Sequence, residues 1–392
     1  MHLFFSVGEP SGDQHAAHLI RALQHRVPGL KVSGLGGPAM EVAGCDVIYP
    51  LTNLAVMGIF RVLPLLSKFY SVFRQARAHL QKHKPDAVIL IDFPGFNWHI
   101  AKAAKSLGIP VYYFMPPQMW AWGGWRIHKL KRTVDHVLSG LQFETEWYAK
   151  QNVAVTNVGH PFFDEVAHHP LDQAFIREWK PSHGRSIALL PGSRGHEVTH
   201  NWPRLLEAAR LLNDRFDDLT FFVASYKEKQ KQWCSEEFVK TGGGLRMNFF
   251  VGRTPEIIDL ADCAMVVSGS VALELLARRT PYVTFYSCSK LTHWIGRQVI
   301  DVAHFSLPNL MASRRVFPEL LFSGESPTAG VQLADALTPW LASPAVLNAK
   351  LDELDAIRRE VVQTGAMSRT ADVILKLLGN RANGNQDSSA AA

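Results

Sequence analysis

Short apolar runs alternate with amphipathic stretches through the first half of the chain. Runs at residues 2–8, 31–35, 87–92, 111–115, 136–141 and 155–159 have the length and residue content of strands. Most are followed by apolar positions at helical spacing, as at 100–107 and 144–151. Strands alternating with helices predict βαβ units and a parallel sheet, because parallel neighbours need a crossover element between them. A polar stretch containing proline and histidine, residues 160–185, interrupts the rhythm. The pattern then restarts with strands at 186–191, 219–224, 247–252, 263–268 and 282–286, and with helices between them, the clearest at 202–216 and 271–278. The reading is an α/β chain of two successive Rossmann-like, doubly wound halves. Ligands in such folds bind at the carboxyl ends of the strands, which predicts a cleft that both halves face. This places a first domain at 1–170, a second at 171–345 and helices at 346–380. A tail without fixed structure is expected at 381–392, where Asn, Gly, Ser and Ala dominate.

One helical stretch, 58–83, lacks the usual two-sided pattern. Ile59, Phe60, Leu66, Phe69, Tyr70 and Phe73 spread around its girth, while Arg61, Lys68, Arg74 and Arg77 supply polar positions. Two readings stand: a helix buried against the sheet, or a basic, apolar surface that receives acyl chains or touches a bilayer.

Composition narrows the partners. Hydrophobic residues make up 47% of the 392 positions and charged residues 19%, which provides for a large core. The 41 basic residues exceed the 35 acidic ones by only six, without a dense basic stripe, which gives no ground for a nucleic-acid partner. The excess still suits a phosphorylated substrate or anionic lipid. Cys45, Cys234, Cys263 and Cys288 stand apart, as buried thiols in a reducing compartment do. Residues 1–7 lack a basic leader and enter a strand directly, and no apolar run reaches the ~18 residues of a spanning helix. A cytoplasmic protein is expected.

The candidate chemistry sits in turns that follow strands. Leu190-Pro191-Gly192-Ser193-Arg194 ends one strand and precedes a helix. Free backbone N–H groups and the helix dipole favour an anion there, and Arg194 offers a fork for a diphosphate; the alternative is a solvated cap. A second turn, Ser268-Gly269-Ser270, leads into a helix with Glu274 one turn inside it. Small residues let a phosphate approach the backbone, and a carboxylate at that depth can accept both hydroxyls of a ribose. Two such turns in one half suit a nucleoside diphosphate. A dinucleotide site wants GxGxxG after a first strand, and the nearest stretch, Gly34-Leu35-Gly36-Gly37, follows the second.

In the first half, Gly8-Glu9-Pro10-Ser11-Gly12-Asp13 is again a strand-to-helix turn, with Ser11 or Asp13 placed to cap the helix. Asp92 closes an apolar strand. A carboxylate there faces the expected cleft, where a raised pKa suits a general base; helix capping is the other reading. His196-Glu197-Val198-Thr199-His200 matches the HExxH zinc pattern, but it starts directly after a turn and not in mid-helix. No Asp-x-Asp pair accompanies the diphosphate turns, so neither a metal nor another cofactor is expected.

Nine ordered segments then carry a resemblance. They are GEPSGD from Gly8 to Asp13, Gly36-Gly37-Pro38-Ala39-Met40, Val56-Met57-Gly58, IDFPGFN from Ile91 to Asn97 and Trp120-Ala121-Trp122. In the second part of the chain they are Val158-Gly159-His160-Pro161, LPGSR from Leu190 to Arg194, SGSVALE from Ser268 to Glu274, and Pro308-Asn309. Through them the sequence resembles the lipid-A-disaccharide synthase family along nearly its whole length. The resemblance implies a GT-B glycosyltransferase with an N-terminal acceptor domain, a C-terminal UDP domain and a last helix that returns to the first. It implies inverting transfer from UDP-2,3-diacylglucosamine to 2,3-diacylglucosamine 1-phosphate (lipid X), giving the lipid A disaccharide 1-phosphate and UDP at the cytoplasmic face of the inner membrane. On the matching positions, Asp92 would deprotonate the acceptor 6-hydroxyl, Arg194 neutralise the departing diphosphate, Asn309 contact the donor near its phosphates and Glu274 hold the ribose. Glu9, Ser11, Met57, Arg126, Ser193, Ser268, Gly269 and Ser270 fall in or beside the same segments as substrate contacts. The helices at 346–378 either pair two copies into a homodimer or pack internally.

The sequence departs from the family pattern at Arg61, where Glu is usual, at Gly123, where Arg is usual, and at Phe322, where Gln is usual. Ser270 and Val271 replace Thr and Ala. Rivals are another GT-B UDP-sugar enzyme, such as an epimerase or hydrolase, and a homologue that binds UDP-lipid without turnover.

Overall fold

The structure, a computed structural model, describes residues 1–54, 66–300 and 302–390, with side chains as far as Arg381. Met57, Arg61 and the first part of the expected 58–83 helix lie outside the described residues. The chain divides into two compact units, Met1–Asp164 with Thr364–Ala392, and Glu165–Gln363.

The first unit is built on a parallel sheet of β1 (His2–Val7), β2 (Lys31–Leu35), β3 (Asp46–Tyr49), β4 (Ala87–Ile91), β5 (Val111–Phe114), β6 (His136–Ser139) and β7 (Val155–Asn157), in the order β3-β2-β1-β4-β5-β6-β7. The central strands are apolar on both faces because both are covered, as parallel sheets require. Phe4, Val88 and Leu90 point toward the helices Leu66–His83, Pro94–Ser106 and Ile127–Thr133. Leu3, Phe5, Ile89 and Ile91 point toward the helices Pro10–Arg26 and Ala366–Ala390. Pro10, Pro38 and Pro94 each open a helix directly after a strand or turn, where a missing N–H costs nothing. The strand β3 had no expectation in the sequence. It is a four-residue edge strand, half exposed, and too short for a pattern to emerge.

The second unit repeats the plan with β8 (Arg185–Leu190), β9 (Leu219–Ser225), β10 (Met247–Val251), β11 (Cys263–Val267), β12 (Tyr282–Cys288) and β13 (Glu319–Ser323), all parallel, in the order β10-β9-β8-β11-β12-β13. The edge strand β13 was also unforeseen. It explains one departure from the family pattern, since Phe322 is buried in this unit's core with its ring 5.9 Å from Phe285.

The C-terminal helices, expected as one group at 346–380, part company. The helix Pro344–Val361 stays with the second unit, burying Leu354 and Ile357 beside Tyr282 and Phe317. The helix Ala366–Ala390 returns to the first unit. Asp164 accepts the backbone N–H groups of Gly365 and Met367, Arg369 donates to the Val158 carbonyl at 2.9 Å, and Arg26 pairs with Asp372. The tail from 381, expected to lack structure, continues this helix to Ala390, although the apolar side chains anchored to the unit end at Leu378 among the described residues.

The helix Leu66–His83 is buried against the first unit along one stripe only. Val72, Ala76 and Leu80 form one buried stripe at intervals of four, while Leu66 and Tyr70 are exposed beside Lys68, Arg74 and Arg77. Among the described residues no helix is long and apolar enough to cross a membrane. All four cysteines are free, with Cys45, Cys234 and Cys263 buried and Cys288 half-buried.

Asp13 does not cap its own helix. Its buried carboxylate accepts the N–H groups of Gly37 (2.9 Å), Ala39 (2.9 Å) and Met40 (3.1 Å), at the start of the five-residue helix Pro38–Val42. So short a helix has little stability of its own and depends on that cap. Replacing Asp13 with Ala orphans three donors and is expected to cost about 2–3 kcal/mol in urea-unfolding free energy. Asp13→Asn, which keeps one acceptor, should cost less; equal losses would mean the carboxylate is not the cap.

Candidate active site

In each sheet the strand order reverses between two neighbours, β1 and β4 in the first unit and β8 and β11 in the second. At such switch points the helices leave on opposite faces, and the turns open a crevice at the carboxyl ends of the strands. The turns singled out in the sequence occupy these positions.

In the first unit the turns after β1 and β4 interlock. Asp92 and Phe93 both hold left-handed backbone, with φ of 46° and 45°. The Phe93 ring fills the space over Gly8, where a Cβ would meet it at 2.2 Å, and the Asp92 carboxylate lies over Gly12, 3.4 Å from where a Cβ would stand. Gly8 therefore makes room for Phe93, whereas a Cβ at Gly12 would press chiefly on Val7, at 2.9 Å. The clamp on this turn is Asn97, fully buried in the helix Pro94–Ser106. Its Nδ2 donates to the carbonyls of Asp92 (2.8 Å), Ser6 (3.1 Å) and Ile91 (3.2 Å), and its Oδ1 accepts from Ser6 Oγ at 2.7 Å. Tyr113 Oη also donates to the Asp92 carbonyl, at 2.7 Å.

Asp92 lies against Gly12, close to the apolar Val7 and Ile91, and keeps only partial solvent contact. Burial pushes its carboxyl up to about 7; the Glu9 carboxylate adds to the shift and His15 opposes it. Two more buried titratable groups belong to the neighbourhood, and sequence reasoning assigned neither a role. Burial pushes Glu144 up to about 7 against hydrogen bonds from Ser139 Oγ (2.6 Å) and Trp120 Nε1 (2.9 Å). Burial, with His15 adding, holds His160 down at about 3, as a neutral ring. A Gly-His-Pro turn after a strand was the available signal for His160. Nothing in the sequence tied Glu144 to Trp120.

The remaining first-unit candidates divide. Glu9 is the N-cap residue of Pro10–Arg26, half-buried, with no cap bond from its side chain. Ser11 is exposed in the first turn of that helix. Arg126 is turned onto its own loop, donating to the carbonyls of Trp122 (2.9 Å) and Gly123 (3.2 Å) with its guanidinium 4.2 Å from the Trp122 ring. Gly123 is left-handed, and a Cβ there would stand 2.7 Å from Arg126 Nε, so a glycine at 123 fits this placement of the arginine.

In the second unit the turns after β8 and β11 line one cavity of about 310 Å³, whose walls include Gly192, Ser193, Arg194, Ser268, Gly269 and Ser270. Tyr226 and Thr254, which carried no signal in the sequence, complete it. The Arg194 guanidinium is paired with Glu197 at 2.9 Å, and Glu197 also accepts the Arg194 N–H at 3.1 Å. That capping pair occupies the central Glu of the HExxH pattern. Among the described residues no group of three His, Cys, Asp or Glu is arranged to hold a metal ion.

Two expected residues stand away from the cavity walls. Glu274 is buried and paired with Arg278 at 2.9 Å, one turn along the helix Val271–Ala277. Asn309 is fully buried, and its amide is consumed by backbone: Nδ2 donates to the Phe317 carbonyl and Oδ1 accepts from Val316 and Phe317, each at 2.9 Å. Three of the four hydrogen bonds that an amide can make thus hold the loop at 316–317.

Comparison with known proteins decides the family. The profile for lipid-A-disaccharide synthetase matches residues 3–339. The lipid-A-disaccharide synthase of Myxococcus xanthus is 35% identical over 372 residues, covering 95% of this chain and 96% of that one. That of Syntrophus aciditrophicus is 35% identical over 373 residues, with the same coverage. The chain belongs to the lipid-A-disaccharide synthetase family. It is a GT-B glycosyltransferase of lipid A biosynthesis. Its fold is shared with the UDP-GlcNAc 2-epimerase of Neisseria meningitidis bound to UDP-GlcNAc, at a TM-score of 0.62, 10% identity and coverage of 97% of this chain and 100% of that one.

For this synthetase-family chain the raised pKa of Asp92 has a thermodynamic consequence. The folded carboxyl, at about 7, sits above the unfolded value of 3.8. The stability it contributes is present at acid pH and is lost as the pH rises through about 7. Asp92→Asn carries no charge to bury. The variant should be more stable than the parent by about 2 kcal/mol at pH 8, after discounting for partial solvent contact. The gap should narrow as the pH falls through about 7 and close only below the unfolded value of 3.8. A gap independent of pH, followed by thermal or urea unfolding, would count against a buried, high-pKa Asp92.

Proposed function

We propose that this enzyme transfers the diacylglucosaminyl group of UDP-2,3-diacylglucosamine to the 6-hydroxyl of 2,3-diacylglucosamine 1-phosphate, with Asp92 as the base. The carboxyl with a pKa near 7 at the first unit's switch point carries this reading, since a base matched to neutral pH is what the acceptor hydroxyl needs. Asp92 takes the hydroxyl proton as the acceptor oxygen forms its bond to the anomeric carbon. The bond from that carbon to the diphosphate breaks on the opposite face, and its electron pair leaves with UDP. The configuration inverts. In the second unit the turns at 192–194 and 268–270 receive the diphosphate, with Arg194 exchanging Glu197 for the phosphate oxygens. Glu274 serves the ribose through the oxygen that Arg278 leaves open. Glu9 and Ser11, at the head of the helix Pro10–Arg26, contact the acceptor, and Arg126 and Met57 belong to the same half. No metal is assigned to the reaction.

The test is UDP release measured with and without acceptor, in EDTA, for the parent and Asp92→Asn. Acceptor-dependent release should fall by ~10³-fold in the variant while UDP affinity is kept. In the parent, kcat/KM should rise with pH through about 7, because the base acts only when ionised. Release that ignores the acceptor would instead make the chain a hydrolase or epimerase.

The same proposal places the chain on the cytoplasmic face of the inner membrane, with a second copy of itself as partner through the C-terminal helices. Exposed Leu66 and Tyr70 among Lys68, Arg74 and Arg77 support the membrane contact. Reversing the three charges should abolish co-sedimentation with anionic vesicles, and sedimentation equilibrium should give twice the chain mass. Unchanged vesicle binding or a monomer mass removes the respective association.

A further inference from the structure

The diphosphate cavity of the second unit does not end at its two turns. Arg194, Glu197, Val267 and Ser268 are shared with an adjoining hollow of about 620 Å³. Its walls are largely polar, with His196, His200, Asn201 and Ser287 among them. Ser268, Tyr286 and Cys288 in turn belong to a third hollow of about 710 Å³. That one is walled chiefly by apolar groups, including Ile295, Ile300, Val302, Phe305 and Leu321. Shared walls make the three a single trough within one unit, polar where it starts and apolar where it ends.

The helix Lys290–Val299 bounds the apolar end and is unusual in this fold. It buries none of its residues, and Leu291, Trp294, Ile295 and Val299 are exposed, as is Ile300 beyond it. Its start is fixed by Ser289, whose Oγ accepts the Thr292 N–H at 3.0 Å. Of the exposed apolar residues, Ile295 and Ile300 line the trough, where they make an apolar wall with Val302, Phe305 and Leu321. Such a wall marks a ligand-binding surface more often than an accident of composition.

We propose that the apolar end of this trough receives a fatty acyl chain of the UDP-linked donor. The inference rests on the function proposed above and adds the place where the donor's lipid is held. Continuity selects the occupant: a ligand whose diphosphate lies on the turns at 192–194 and 268–270 runs from charged to apolar in the same order as the walls. The acceptor's chains have no such anchor here, because the acceptor carries no diphosphate. A bilayer is a flat apolar surface and would meet the outer side of the helix, where Leu291, Trp294 and Val299 stand outside the trough lining, not the recessed wall that Cys288 shares.

Cys288 provides the readout. It stands on the wall common to the second and third hollows, while Cys45, Cys234 and Cys263 are at most 5% exposed. N-ethylmaleimide should therefore label Cys288 first, and mass spectrometry of the full chain gives its rate. UDP-2,3-diacylglucosamine should slow that labelling at least tenfold, whereas UDP and UDP-N-acetylglucosamine should leave it nearly unchanged. Equal protection by all three ligands would overturn the inference, and so would protection by phosphatidylglycerol vesicles without donor. A second arm uses Ile295→Ser with Leu321→Ser. Both side chains are about half exposed, so the core is left intact. The pair should raise KM for the diacylated donor about tenfold, since each buried methylene lost weakens binding several-fold, with the Kd for UDP unchanged. An unchanged KM with normal UDP binding overturns the acyl site alone. Failure of the parent to bind UDP at all would overturn the proposed function with it.

Discussion

The first unit's site depends on one buried amide. Asp92 and Phe93 leave β4 in left-handed backbone, a conformation that costs an L-residue on the order of 1–3 kcal/mol and does not persist unless the surroundings impose it. Asn97 imposes it by tying the Asp92 and Ile91 carbonyls to that of Ser6, across two adjacent strands. Tyr113 adds a second donor to Asp92, and Ser6 completes the Asn97 carbonyl. A buried network with its main groups satisfied is stiff, because any rotation leaves a polar atom without a partner. Phe93 is thereby driven over Gly8 and Asp92 over Gly12. Two sequence motifs some eighty residues apart are thus two sides of one packing arrangement.

That arrangement explains why the buried carboxylates of this unit differ in character. Asp13 faces three backbone N–H groups and acts as a helix cap. Glu144 accepts from Ser139 and Trp120, yet burial still raises it to about 7. At Asp92 the opposition to burial comes from the His15 ring rather than from a hydrogen bond, and Glu9 adds its own repulsion. The carboxyl is held in place through its backbone, which leaves the side chain uncommitted. A group positioned by its main chain and destabilised as an anion by its surroundings has the two properties that proton abstraction requires.

How much of this was legible follows from what kind of signal each feature leaves. Runs such as 87–91 and 263–267 are apolar throughout because both faces of a central parallel strand are covered, and the sequence displays that directly. The edge strands β3 and β13 are half exposed and left no run to see. The turns at 92, 192–194 and 268–270 were legible because small or charged residues directly after a strand have few other uses. Asp13 was read as a cap for the wrong helix, since its partners lie 24 residues or more along the chain. That Asn309 also holds the backbone of residues 316 and 317 was not legible, because backbone partners leave no trace in residue identity. His15, Glu144 and His160 acquire meaning only when the carboxyl ends of β1, β6 and β7 are brought to one edge of the sheet.

Two of the arginine–glutamate pairs of the second unit show how the same contact can be expendable in one place and fixed in another. Arg194 and Glu197 pair at the mouth of the diphosphate cavity with the guanidinium half exposed. An exposed pair of this kind contributes ~0–1 kcal/mol, so under the proposed function an incoming diphosphate with more charge would displace Glu197 at little cost. Arg278 and Glu274 are each about nine-tenths buried, and separating them would strand a charge at ~3–5 kcal/mol. Glu274 can therefore meet a ligand only with Arg278 still attached, presenting one oxygen and not two. The pair nearest the leaving group is free to exchange, and the one deeper in the helix is held. Under the proposed function this is the order that release of a nucleoside diphosphate would need, since the contact that would have to change in every turnover is the weaker of the two.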